Sequence, residues 1–119
     1  MWELATTELY EHDAKHYLKK HPRELQAVKR NLARYLEQIA KAPNSRAVKL
    51  GFLHDEPAGV IAIDQSGGGK GLQETRLYTF ADDSSRTLWL ITVGNKAEQA
   101  KDIQFSRRFV ESLRGNDPA

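Results

Sequence analysis

The chain contains no cysteine. That excludes disulfides, thiolate metal sites and thiol nucleophiles. No apolar run approaches the roughly 18 residues needed to span a bilayer, so no membrane partner is expected. The start, Met1-Trp2-Glu3-Leu4, carries an acid early and lacks an apolar block with a small-residue cleavage site. It reads as the start of a cytoplasmic protein rather than a secretory signal. Charge of one sign is also scarce, with 18 basic residues against 16 acidic and a net charge of +2. A protein devoted to wrapping duplex nucleic acid carries a larger excess. No internal repeat is present.

Familiar catalytic motifs are missing too. In Gly67-Gly68-Gly69-Lys70-Gly71 a phosphate-binding loop would need glycine at Asp64 and Ser or Thr at Gly71. His12 and His16 are one helical turn apart, but Asp13 stands where a metalloprotease helix has glutamate. No Gly-x-Ser-x-Gly occurs.

What is present suits one soluble globular domain. The chain has 119 residues, 39% of them hydrophobic and 29% charged, enough for a single core without staples. We expect the domain at residues 2–114 and a flexible tail at 115–119. Residues 2–6 read as a first strand. Thr6 or Thr7 can cap a helix whose apolar face is Tyr10, Ala14, Tyr17 and Leu18. Pro22 starts a second helix, with Leu25, Val28, Leu32, Tyr35, Leu36 and Ile39 at helical spacing to about Ala40.

The period then changes. Val60–Ile63 and Arg76–Phe80 read as strands joined by a flexible glycine connector at 66–71, and Asp82–Ser85 as a turn. Thr87–Val93 is nearly continuously apolar and belongs inside the sheet, with Gly94-Asn95 breaking it. A third helix runs from Ala97 to about Leu113. The expected fold is α+β: an N-terminal strand and helical hairpin packed on a mainly antiparallel sheet, then a C-terminal helix. Core candidates are Leu25, Val28, Leu32, Leu36, Leu77 and Trp89.

Alternation puts Arg76, Tyr78 and Phe80 on one strand face and Leu77 and Thr79 on the other. If the hairpin covers the Leu77 face, Arg76 and Tyr78 line an open one, where a cation can hold a phosphate and a ring can stack a base. Lys96 follows the central strand, a place where a rigid scaffold presents functional groups.

Glu74-Thr-Arg-Leu-Tyr-Thr-Phe, then Arg86-Thr-Leu-Trp-Leu-Ile-Thr-Val-Gly-Asn-Lys96, then a polar helix beginning Ala97-Glu-Gln-Ala-Lys-Asp-Ile resembles the RelE/ParE toxin superfamily, HigB-like members included. The resemblance covers most of residues 2–113. It implies the toxin of a type II toxin–antitoxin pair, with a cognate antitoxin as partner. RelE-like members are mRNA interferases, endoribonucleases that cleave message on the ribosome and inhibit translation; ParE-like members inhibit gyrase.

The cleaving reaction is attack of a ribose 2′-hydroxyl on the adjacent phosphate, with no metal or other cofactor implied. Arg76 matches the strand arginine and would clamp the phosphate. Lys96 matches the basic residue after the glycine and would stabilise charge. Tyr78, Lys70 and Lys101 are substrate-binding candidates, and His54 and Asp102 candidates for acid–base work. The last-helix aromatic or histidine common in the family is replaced here by Gln99 and Asp102. The alternative is a non-catalytic interaction protein of the same fold, a gyrase inhibitor or an RNA-binding module.

Overall fold

The computed structural model describes residues 1–115. Five strands form one mixed sheet: β1 (Glu3–Thr6), β2 (Leu53–Asp55), β3 (Ile61–Asp64), β4 (Thr75–Asp82) and β5 (Thr87–Asn95), in the order β1-β5-β4-β3-β2. The β1–β5 pair is parallel and the other three are antiparallel. Three helices complete the α+β domain: α1 (Glu8–Lys20), α2 (Pro22–Lys41) and α3 (Gln99–Gly115).

Local chemistry explains the helical hairpin. The Thr7 side chain caps α1 by accepting from the Tyr10 amide at 3.0 Å, and its hydroxyl donates to the Ile91 carbonyl at 2.6 Å. Glu8 and Glu11 lie in the first turn and Lys19 and Lys20 in the last, matching the helix dipole. Pro22 opens α2, where its missing N–H costs nothing. Leu25, Val28, Leu32, Tyr35 and Ile39 are buried along one face of α2, against Ile63, Leu77 and Val93 of the sheet. Each such side chain contributes about 1.5–3 kcal/mol by leaving water.

The sheet differs from expectation on its second face. It is not open. Helix α3 crosses it, and Val60, Ala62, Tyr78, Ile91 and Val110 form a second core with Phe109 and Trp89 at its margin. Trp89 is half-buried there, edge-on to Phe109 with ring centroids 5.2 Å apart. Leu36 is likewise half-buried rather than central, while Leu25, Val28, Leu32 and Leu77 are core residues. Four apolar side chains on the polar α3, Ile103, Phe105, Phe109 and Val110, suffice to cover a narrow sheet.

Other boundaries move as well. Leu53–Asp55 is a strand, too short to announce itself by alternation. Strand β5 runs through Gly94 to Asn95, because β4 keeps pairing to Thr75. The glycine connector is docked rather than free: the Asn31 amide donates to the Asp64 and Ser66 carbonyls, both at 2.9 Å, and Arg23 donates to the Lys70 carbonyl at 3.2 Å. At Gly68 a Cβ would stand 2.5 Å from the Ala27 Cβ. Gly68→Ala should therefore cost about 1–3 kcal/mol by overpacking, seen as a lowered urea midpoint. Gly115 is the last residue of α3, and the rest of the expected tail lies outside the described residues.

Candidate functional site

The register across the sheet assembles the candidate residues. Asp64 of β3, Arg76 of β4 and Gly94 of β5 lie side by side, two residues beyond the row of Ala62, Tyr78 and Thr92. Residues two apart on a strand share a face, so Asp64 and Arg76 lie on the α3 side with Ala62 and Tyr78. His54 pairs with Ala62 and joins them.

A chain of ion pairs crosses this row. Arg76 Nη1 is 3.3 Å from Glu56 Oε2, and Arg76 Nη2 is 3.7 Å from Glu74 Oε1. The other Glu74 oxygen is 3.8 Å from Lys96 Nζ. Arg76 and Lys96 thus meet at one carboxylate. The surroundings differ: the Arg76 side chain is 18% exposed and that of Lys96 77%. Arg76 Nε is buried without a partner among the described residues.

A tight turn supplies Glu56. The Glu56 amide donates to the Val60 carbonyl at 2.9 Å, with Ala58 at φ 65° and Gly59 at φ 82° between them. An alanine in the left-handed region is disfavoured by about 1–2 kcal/mol. Packing of α3 against the turn offsets that: Arg114 lies beside Gly59 and its guanidinium sits 5.6 Å from the Phe80 ring centroid.

His54 belongs to β2 rather than to a loop. Its Nε2 is 2.6 Å from Asp64 Oδ2, and the other Asp64 oxygen accepts from the Ser66 amide at 2.7 Å. Burial pushes the Asp64 carboxyl up, but the hydrogen bonds from Ser66 and His54, with the histidine's charge, outweigh it and hold the carboxyl below its ordinary value. The contact with Asp64 orients the imidazole.

Asp102 sits on the other side of the row. Gly94 lets Asp102 approach closely: a Cβ there would stand 2.0 Å from Asp102 Oδ2, so the carboxyl would have to shift. That oxygen is buried with no partner among the described residues, and the residue is 5% exposed. Burial, then the charges of Glu98 and Asp13, raise its pKa to about 7, with Lys101 opposing. Asp13 is itself fixed by the Thr92 hydroxyl, which donates to Oδ2 at 2.7 Å. Gly94→Ala should cost about 1–3 kcal/mol, since a buried side chain must shift; a thermal melt checks this.

The remaining expectations divide. Tyr78 is 1% exposed and lies under α3, so it cannot stack a base from the surface. Burial above all raises its pKa. Lys101 points outward and pairs with Glu98 at 3.7 Å. Lys70 rides on the loop fastened to α2, across the sheet from Arg76. Asp102 pairs with neither Lys101 nor Arg107, the latter facing Glu111 at 3.8 Å.

Sequence reasoning missed Glu56, Glu74 and Asp64. The Glu74-x-Arg76 spacing was the one available signal, since it places both on one strand face. A concavity of about 870 Å³ lies elsewhere, at the opposite end of the sheet between Leu53, Phe80 and Leu113, and shares Glu56 with the ion-pair chain. No protein-family model matches the chain, and no curated protein matches it.

Proposed function

We propose that the protein is a RelE/ParE-type toxin of a type II toxin–antitoxin pair, acting in the cytoplasm as an mRNA-directed endoribonuclease. One observation carries the reading: Arg76 and Lys96, twenty residues apart, converge on a single carboxylate. The two cations are spaced to grip one anion. The order strand, two helices, antiparallel strands and final helix supports it too.

In this reading Arg76 and Lys96 hold the scissile phosphate and balance the charge that builds on its oxygens. The ribose 2′-hydroxyl attacks the phosphorus, and the 5′-oxygen leaves. His54, oriented by Asp64, is the acid–base candidate on the same face. Asp102 is too buried to meet substrate, and its place is behind the site. With the second sheet face covered, the antitoxin's place is over the ion-pair chain or on the helical hairpin.

Controlled expression with mapping of message 5′ ends tests the reading. Growth arrest with new 5′ ends is expected, and both should vanish on co-expression of the antitoxin. Soluble, harmless protein at high level would refute it. A second reading, a non-catalytic interaction protein of the same fold, draws on the two glutamates that neutralise Arg76. It predicts arrest without cut message, or no arrest.

A further inference from the structure

Arg76 is held unequally by its two carboxylates. The Glu56 side chain is 13% exposed and comes within 3.3 Å. Glu74 is 39% exposed and stands off at 3.7 Å from Arg76 and 3.8 Å from Lys96. A long, half-exposed contact is screened by water and salt and contributes little. Removing one partner of a buried pair, by contrast, strands the other's charge. The two glutamates therefore have different tasks.

We infer that Glu74 is a displaceable stand-in for a polynucleotide phosphodiester, occupying the place between Arg76 Nη2 and Lys96 Nζ that a phosphate takes over, while Glu56 stays and orients the guanidinium. The inference rests on the nucleic-acid-directed reading above. A carboxylate and a phosphodiester each carry one negative charge on two terminal oxygens. Exchange therefore leaves the balance among Arg76, Lys96 and Glu56 unchanged and releases Glu74 to solvent. Glu74 precedes β4 by one residue, so its side chain can swing out without breaking the sheet. The buried Arg76 Nε, unpartnered among the described residues, is a further donor on the same guanidinium.

The test measures binding of a fluorescein-labelled 2′-O-methyl uridine hexamer, which cannot be cleaved, by anisotropy at low salt. Inorganic phosphate, followed by amide chemical shifts, is the second probe. Glu74→Gln should tighten both about tenfold by removing the competing charge. Adding Lys96→Ala to Glu74→Gln should cancel the gain. Hexamer affinity unchanged or weakened in a folded Glu74→Gln protein would overturn the inference while leaving the endoribonuclease reading standing. Failure of both proteins to bind either probe would overturn it as well, and mapped cleavage in cells would then judge the reading separately. Gain with phosphate but not with the hexamer would show a small-anion site and also overturn it.

Discussion

Lys96→Ala should lower message cleavage about a hundredfold, near 3 kcal/mol of transition-state stabilisation, with no change in melting temperature. Its side chain is 77% exposed, and among the described residues its one ion pair is the long contact with Glu74, so the fold barely needs it. Arg76→Ala should abolish cleavage too, but it should also destabilise the protein by about 2–4 kcal/mol, because the half-buried Glu56 loses its partner. The expectation that Arg76 lines an open sheet face, and so is exposed, is corrected by its 18% exposure. Arg76→Lys keeps the charge yet loses the two-pronged contact, so partial activity is expected. Melting curves beside 5′-end mapping separate the effects. If both alanine variants cleave like the parent, the phosphate-clamp assignment fails.

Asp102→Asn should stabilise the protein by on the order of 3 kcal/mol at pH 8, since one pKa unit is about 1.4 kcal/mol of preference between protonation states. The folded-state pKa of about 7 stands above the ordinary 3.8. Below pH 4 the carboxyl is protonated in both states and has no effect. Between pH 4 and 7 the unfolded chain releases its proton first, so stability falls as pH rises, and above about pH 7 the loss is complete. Asparagine has no proton to lose there, and its amide can donate toward Glu98 or Asp13. Urea unfolding at pH 5 and pH 8 checks the sign: the parent should be weaker at pH 8 by about 1 M in midpoint, and the variant should lose most of that difference. An unchanged pH slope in the variant would show that Asp102 is not held neutral.

Much of the fold was legible locally. The period of 3.6 from Leu25 to Ile39, the Thr7 cap and the Pro22 start all come from interactions within a few residues, and the structure has each of them. The strand character of β4 and β5 was equally plain from alternation and apolar content. The missed β2 is three residues long and pairs only with β3, so nothing in its own sequence distinguishes it from a loop. The covering of the Tyr78 face was hidden for a related reason. Helix α3 has a mixed sequence whose few apolar side chains gain their value only when a sheet lies beneath them.

The candidate site shows where local reading ends. The sequence alone determined that Arg76 and Tyr78 share a strand face, that Lys96 follows a buried strand, and that no thiol or disulfide chemistry operates. Tertiary structure decided which of these residues meet. A register shift between Tyr78 and Thr79 sets Gly94, rather than Val93, opposite Arg76. One residue of slip turns every side chain beyond it to the other face. That shift gives Asp102 the one position without a Cβ to pack on and brings Lys96 within reach of Glu74. Glu56 reaches Arg76 only through a turn held by α3. Periodicity and caps arise within a helical turn of chain and can be read from it; the pairing of charges across strands depends on register and layer packing, which no single segment encodes.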